Sequence, residues 1–128
     1  MWINKNTELI KPQTFMNESG ESVLAIRKKH QNLEIENIYV VHDDLDILLG
    51  EYKIQKGRGP KDHKGLNSIY KRLGTKDFWH IRIGVDNRSE TNKFSGEDYV
   101  LQKFDDDERE VVLKAIDEVV EKISNDFL

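Results

Sequence analysis

A cluster of ionisable side chains stands at residues 42–46, where the sequence reads HDDLD. Three carboxylates and an imidazole this close could ligate a divalent metal ion, with His42, Asp43 and Asp46 as the ligands. Alternatively, Asp43 could orient and polarise a histidine from elsewhere in the chain, holding the tautomer that general-base chemistry needs. A third interpretation is a solvated turn after a strand, and the residue types alone favour it.

A second group of candidate side chains lies in the glycine-rich stretch GRGPKDHKGL, residues 57–66. It carries Arg58, Lys61, His63 and Lys64 directly before a predicted helix, and cations beside a helix N-terminus suit phosphate groups. The stretch lacks the Gly-Lys-Ser/Thr ending of a Walker loop. An ordinary exposed basic loop is the alternative, but the glycines and the preceding acid cluster favour phosphate binding.

Two further candidates, Phe15 and Asn17, lie between a predicted strand and a predicted helix. Phe15 could belong to the core or stack on a nucleic-acid base. Asn17 could be a turn residue or could orient a water molecule or a carbonyl group. We predict that Trp79 is a core residue and that His30 and His80 are surface residues.

The elements that must position these residues follow from hydrophobic periodicity and breakers. WINKNTELI near the start is typical of a hairpin or an inner part of a sheet, and HDDLD follows a central strand covered on both faces. Strands alternate with helices, which predicts a single α/β domain with a mixed, mostly parallel sheet. The predicted strands are Glu8–Lys11, Ile38–Val41, Leu49–Lys56, Phe78–Val85 and Tyr99–Leu101, and the predicted helices run from N-cap Ser19 to about His30, from Leu66 to Leu73 before Gly74, and from Asp105 to Ile123 on a Val112, Ile116, Val119, Ile123 stripe.

Composition limits the possible classes of function. The chain has 128 residues and 37% hydrophobic content, enough for one domain with one core. There is no cysteine, so disulfides, a thiolate nucleophile and cysteine-ligated zinc are excluded, which fits a cytoplasmic protein. The net charge of −4 means that nucleic-acid binding would need a local basic patch. No apolar run reaches the length that spans a membrane.

Taken together, four stretches resemble the bacterial-type peptidyl-tRNA hydrolase family. KPQTFMNESGESV is similar to that family's K/V-P-x-T-F/Y-M-N-x-S-G-x-x-V, and VVHDDLDILLGEYKIQKG to its V-x-H-D-D/E-L-D-x-x-x-G-x-x-x-x-K-x-G. HKGLNSIYKRLGTKDFWHIRIGVDNR is similar to H-N-G-L-x-S-I-x-x-x-L-G-x-x-x-F-x-R-x-R-I-G-I, and EDYVLQKF to V-x-x-F/Y-V-L-x-x-F before a closing helix. The motifs occur in the family's order, from about Glu8 onward.

The resemblance implies a peptidyl-tRNA hydrolase-like domain over residues 1–128 with a three-layer α/β/α fold, monomeric when intact. Such enzymes cleave the ester between a stalled peptide and its tRNA, without a metal or other cofactor, and so recycle the tRNA. A histidine acts as general base. Asp43 matches the aspartate that supports this histidine. Asn17 matches a catalytic asparagine that binds and orients the substrate, and Phe15 matches the aromatic residue beside it in the substrate-binding set. His63 matches the histidine of H-N-G-L.

The sequence departs from the family in three places. The family's G-L-G-N-P-G strand-loop and T-R-H-N segment, which carries the catalytic histidine, do not occur here. We therefore expect the first strand and first helix to be missing and this chain to be weak or inactive. Lys64 replaces a substrate-binding asparagine and offers charge without an acceptor. The G-R-G-P-K-D loop replaces small residues and adds positive charge.

His42 or His63 could substitute as the base, but this is disfavoured because His42 and Asp43 are neighbours on a strand and point to opposite faces. Two other classes of function remain. A non-catalytic tRNA-binding or RNA-binding module predicts salt-sensitive binding without ester cleavage. A metal-dependent hydrolase using His42, Asp43 and Asp46 predicts inactivation by a chelator.

Overall fold

A computed structural model describes residues 1–88 and 104–127 of the chain. The strand predicted at Tyr99–Leu101 lies outside these described residues. Among the helices that are described, none is long and apolar enough to cross a membrane.

The chain begins with the predicted hairpin. Strands β1 (Trp2–Asn4) and β2 (Thr7–Glu8) pair antiparallel, with Trp2 opposite Glu8. The strand predicted to run from Glu8 to Lys11 therefore stops at its first residue. Pro12, which has no amide hydrogen to donate, follows soon after.

Helix α1 (Ser19–Lys29) follows a 3-10 turn at Met16–Glu18. The prediction that Ser19 caps this helix is wrong by one residue, because Glu18 is the residue that precedes it. The Ser19 hydroxyl instead donates to the Met16 carbonyl oxygen at 2.7 Å. This hydrogen bond stabilises the turn that carries Asn17.

The main sheet contains β3 (Tyr39–Leu48), β4 (Tyr52–Lys56) and β5 (Trp79–Asp86) in the order β3-β5-β4. Strands β3 and β5 are parallel, whereas β4 and β5 are antiparallel. The sheet is mixed, as predicted, but it is not mostly parallel among the described residues. The reason is the short turn at Gly50 (φ 91°), which reverses the chain between β3 and β4.

Strand β3 extends through the acid cluster, which the sequence analysis placed after the strand. Asp43 lies opposite Ile83 and Asp44 opposite Gly84, and the register shifts only beyond Asp44. A Cβ at Gly84 would collide with the Leu48 carbonyl oxygen, so the missing side chain allows the two strands to approach. The acids are therefore held by a sheet and do not form a solvated turn.

Helix α2 (Lys64–Leu73) ends at Gly74 (φ 70°), as predicted. It packs closely on α1, where the Gly20 amide donates to the Ser68 hydroxyl oxygen at 2.9 Å. Helix α3 (Asp106–Asp126) begins with a capping box in which Asp105 and Glu108 satisfy each other's amide groups.

The helices cover both faces of the sheet, which confirms an α/β fold in three layers. On one face α1 and α2 pack on the sheet, and on the other face α3 packs against β5. The buried residues of the first cluster are Val23, Leu66, Ile69 and Phe78, and those of the second are Ile81, Ile83 and Val119.

Candidate active site

A carboxylate–imidazole pair joins β3 to the start of α2. The Nε2 atom of His63 lies 2.8 Å from Asp43 Oδ1. The Leu66 amide donates to His63 Nδ1 at 3.2 Å and so caps α2. Because Nδ1 accepts this bond, Nε2 must carry the proton of the neutral ring and donate it to Asp43. Asp43 thus binds a histidine from a distant part of the chain, and its support of a general base stays a prediction.

This pairing sets the charge of Asp43 and occupies the ring nitrogens of His63. The hydrogen bond from His63 holds the pKa of Asp43 below its ordinary value, so the carboxylate is ionised. The side chain of Asp43 is 37% exposed, whereas that of His63 is only 11% exposed. Both ring nitrogens of His63 are occupied, and neither offers a lone pair to a water molecule in this arrangement.

The other acids of HDDLD also bind protein groups. Arg82 Nε donates to Asp44 Oδ2 at 2.6 Å, and both side chains of this ion pair are buried. The backbone amide of Lys61 donates to Asp46 Oδ2 at 2.9 Å. In the described part of the chain no group of three or more acidic or histidine side chains could hold a metal ion. The geometry therefore gives no support to the metal-dependent alternative with His42, Asp43 and Asp46.

Two histidines lie in the interior of the protein beside the pair. His80 has no exposed surface, so the prediction that it is a surface residue is wrong. His42 is 8% exposed. The alternation of FWHIRIGV predicts that the side chains of His80 and Ile81 point to different faces of the sheet. Only the tertiary structure shows that α1 and α2 cover the face to which His80 points. Burial lowers the pKa of both histidines, that of His80 to about 4, so both are neutral near pH 7.

The candidate phosphate-binding cations lie within residues 57–64, which comprise the loop between β4 and α2 and the first residue of α2. We call this segment the cationic loop. Arg58, Lys61 and Lys64 are all exposed. The loop backbone is fixed at two points, by the bond from Lys61 to Asp46 and by the Gly57 amide, which donates to the Phe78 carbonyl oxygen at 3.0 Å. The cations are therefore carried by an anchored loop next to His63.

Phe15, Met16 and Asn17 lie at the 3-10 turn before α1, and this turn packs against α2. Phe15 is 79% exposed and is not part of the core. Asn17 is also exposed, and it lines a cleft of about 520 Å³ whose lining does not include Asp43 or His63. The other lining residues of the cleft are Glu18, Glu21, Ser68, Lys71 and Arg72.

Met16 connects this stretch to the pair, and the sequence analysis gave it no role. A Cβ built on Gly65 would lie 3.1 Å from both Met16 Cγ and His63 Cε1. The methionine and the histidine thus both lie against Gly65, where a Cβ would be in tight contact with each of them. Glycine directly before an apolar helix face was the available signal for such a close approach.

Comparison with known proteins decides the family. The family model described as Peptidyl-tRNA hydrolase matches residues 2–127. The chain belongs to the peptidyl-tRNA hydrolase family. A family member from Staphylococcus saprophyticus is 43% identical over 108 residues, which are 84% of this chain and 55% of that protein. One from Rickettsia canadensis is 42% identical over 118 residues, which are 92% of this chain and 60% of that protein.

The fold agrees with solved structures of peptidyl-tRNA hydrolases. The crystal structure of peptidyl-tRNA hydrolase from Acinetobacter baumannii superimposes with a TM-score of 0.75 at 33% sequence identity. The match covers 88% of this chain and 56% of that protein. The chain therefore spans between half and two thirds of the length of these relatives.

Within the peptidyl-tRNA hydrolase pattern quoted above, His80 is a further departure. It occupies the first arginine position of F-x-R-x-R-I-G-I, whereas Arg82 retains the second. The replacement puts a neutral ring where the family pattern has a cation, in the fully buried layer beside His42.

Proposed function

We propose that residues 1–128 form a cytoplasmic, monomeric peptidyl-tRNA hydrolase-like domain that binds the acceptor end of peptidyl-tRNA. Its activity in the intact protein is hydrolysis of the ester between peptide and tRNA. The observation that carries the proposal is the Asp43–His63 pair beside the anchored cationic loop. Family membership supplies the reaction, and this arrangement supplies a place for the tRNA end.

In this reaction a base removes a proton from water, and the resulting hydroxide attacks the ester carbonyl carbon. The bond from that carbon to the ribose oxygen then breaks, and the ribose oxygen takes up a proton. Asp43 has an ionised, partly exposed carboxylate, which can support the family's catalytic histidine when that residue acts as the base. Asn17 and Phe15 contact the substrate from the exposed turn before α1. The reaction needs no metal or other cofactor.

The chain's own histidines are poor candidates for the base. His63 donates from Nε2 to Asp43 and accepts at Nδ1, and His42 and His80 are buried. His30, at the end of α1, has its Nε2 atom 2.9 Å from Oε2 of Glu8 in the hairpin. Loss of a general base typically lowers the rate by roughly 10²–10⁴-fold. We therefore expect the chain as written to cleave peptidyl-tRNA slowly or not at all.

Binding of the tRNA backbone falls to the cationic loop. Arg58, Lys61 and Lys64 are exposed on a fixed backbone next to the N-terminus of α2, an arrangement that suits phosphate groups. The occupied histidines favour a second candidate function, a tRNA-binding module without cleavage. The two candidates share the binding surface and differ only in turnover.

The deciding experiment measures peptidyl-tRNA binding and ester cleavage by the 128-residue chain with and without a chelator. We expect salt-sensitive binding and cleavage that is slow or absent. Rapid cleavage would place the base within these residues. It would contradict the conclusion that His63 and the other histidines are poor candidates for the base. Inactivation by the chelator would instead support a metal-dependent hydrolase.

Asp43→Asn tests the assignment of the site. The substitution keeps the size of the side chain but removes the charge that supports the family's catalytic histidine. In a longer chain that carries this histidine, turnover should therefore fall more than binding. Asp117→Asn, at an exposed position of α3, is the matched control and should change neither quantity. Reduced binding with unchanged turnover would contradict the role of Asp43.

A further inference from the structure

Tyr70, His80 and Phe78 form a fixed group beneath the cationic loop. His80 Nδ1 donates to the Phe78 carbonyl oxygen at 3.1 Å, so Nε2 is the acceptor of the neutral ring. The Tyr70 hydroxyl lies 2.9 Å from that Nε2 and donates to it. The His80 ring also stacks on the Phe78 ring, with centroids 4.4 Å apart and planes at 15°. Both the tautomer and the plane of His80 are thereby determined.

His42 joins this group to the Asp43–His63 pair. Its ring stands edge-on to His80 and to His63, with centroids 5.6 Å apart in each case and planes at 88° and 73°. Its Nδ1 donates to the backbone carbonyl oxygen of Asp43 at 2.9 Å. His42 therefore contacts the side chain of one member of the pair and the backbone of the other.

The cationic loop closes over the other end of the group at Gly59. A Cβ at Gly59 would lie 2.7 Å from the Tyr70 hydroxyl oxygen and 3.0 Å from His80 Cδ2. The loop backbone between Arg58 and Lys61 thus rests directly on the hydrogen bond between Tyr70 and His80. Contacts run without interruption from the loop through Tyr70, His80 and His42 to the pair.

Plain core packing does not explain these residues. Apolar side chains fill such a layer without the cost of burying polar groups, and His42 Nε2 is buried with no hydrogen-bond partner in the described part of the chain. A buried polar atom without a hydrogen-bond partner is uncommon in folded proteins and calls for an explanation.

We propose that Tyr70, His80 and His42 are positioning residues that hold the Asp43–His63 pair and the cationic loop in one fixed relation. Loss of the bond from Tyr70 to His80 removes one of the three contacts that hold the His80 ring, and the looser ring supports His42 less firmly. The backbone carbonyl of Asp43 then loses its fixed donor, and the bond from His63 to Asp43 opens more often. The importance of this fixed arrangement for substrate binding rests on the proposed function. The effect of Tyr70 on the Asp43–His63 pair does not.

The test compares Tyr70→Phe with Tyr39→Phe in the 128-residue chain. Tyr70→Phe removes only the donor to His80 and keeps the ring. Tyr39 stacks on Trp79 on the α3 side of the sheet, so Tyr39→Phe is the matched control. The readouts are the ¹⁵N chemical shifts of the His63 ring, the exchange rate of its Nε2 proton, and the melting temperature.

We expect Tyr70→Phe to speed exchange of the His63 Nε2 proton by roughly three- to tenfold, the factor that corresponds to one lost neutral hydrogen bond. Tyr39→Phe should leave it unchanged. If the two variants show the same His63 shifts and exchange rates, Tyr70 and His80 only pack the core and the proposal is wrong.

Binding of a tRNA acceptor-stem hairpin by the same variants separates this proposal from the proposed function. A faster-exchanging His63 in a chain that never binds the hairpin would support the positioning residues and overturn the tRNA function. Unchanged His63 signals in a chain that binds the hairpin would do the reverse.

Discussion

Asp43 and Asp44 are chemically identical neighbours with different environments. Successive strand residues point to opposite sides, so Asp43 reaches His63 at the rim while Asp44 turns into the layer beneath α2. Arg82 donates to Asp44 through Nε and to Gln55 through a second nitrogen at 2.8 Å. The buried ion pair fixes β3 against β5, and the partly exposed carboxylate remains available to the site.

Replacement of Asp44 tests the structural role at the residue scale. Asp44→Ala leaves the Arg82 guanidinium buried without its carboxylate and should lower the free energy of unfolding by about 3–5 kcal/mol. Chemical denaturation followed by circular dichroism measures the change. Asp117→Ala, on the exposed side of α3, should cost less than about 0.5 kcal/mol, as surface changes generally do. Equal effects of the two substitutions would show that the buried ion pair does not stabilise the fold.

At the element scale, the site depends on how α1 meets α2. Gly20 lies where a side chain would collide with the Ser68 carbonyl oxygen and crowd Arg72. The ion pair between Glu21 and Arg72 spans the same crossing. Since the turn carrying Asn17 leads directly into α1, the closeness of this crossing sets where Asn17 and Met16 stand relative to α2.

Gly20→Ala should therefore affect both stability and binding. The added methyl group forces α1 away from α2, at a cost of about 1–3 kcal/mol typical of overpacking. Thermal unfolding should show a lower midpoint, and tRNA binding should weaken because Asn17 moves. Ala25→Val adds bulk at an exposed position of the same helix and is the control. A Gly20→Ala protein as stable as that control would show that the helices have room to spare.

For the whole molecule, the buried histidines determine the response to acid. The unfolded chain binds a proton at each imidazole near pH 6.5, but burial lowers the pKa of His80 to about 4 and also lowers that of His42. Between these values the unfolded state binds more protons than the folded state, so stability falls as the pH falls. Asp43, whose pKa is lowered below 3.8, contributes only under more acidic conditions.

The free energy of unfolding should thus be nearly constant above pH 7 and decline steadily from about pH 6.5 to pH 4. Denaturant titrations across this range measure the slope. His80→Phe keeps an aromatic ring on Phe78 and should make the decline shallower, even if its stability at pH 7 is lower. A slope that His80→Phe does not change would mean that other groups cause the acid sensitivity.

Electrostatics at the same scale bear on the proposed RNA binding, because the net charge of the chain is −4. Attraction must come from the local potential of the cationic loop, because the overall field repels phosphate. Lys64→Ala should weaken tRNA affinity at low salt and have little effect at high salt, where screening is strong. Lys114→Ala, on α3 at the opposite face of the sheet, should not change affinity. Equal salt dependence for the Lys64→Ala and unaltered chains would exclude Lys64 from the phosphate surface.

Much of this protein was determined by local sequence. Apolar periodicity placed α2, Gly74 ended it, and the acids after Phe104 began α3 with a capping box. These features depend on residues within one or two turns of each other, so the sequence is sufficient to predict them. The motifs that identified the family are likewise contiguous stretches.

Contacts between distant residues were decided by the tertiary structure alone. Ile116 was predicted on the buried stripe of α3 but is 37% exposed, while Ala115 is buried, because the position of β5 selects the covered side of the helix. His80 is buried because two helices cover the face of the sheet to which it points. Asp43 lies in a strand and binds His63, whereas the sequence alone favoured a solvated turn. Burial and pairing depend on which elements meet across the sheet, and residues far apart in sequence carry no local signal of that meeting.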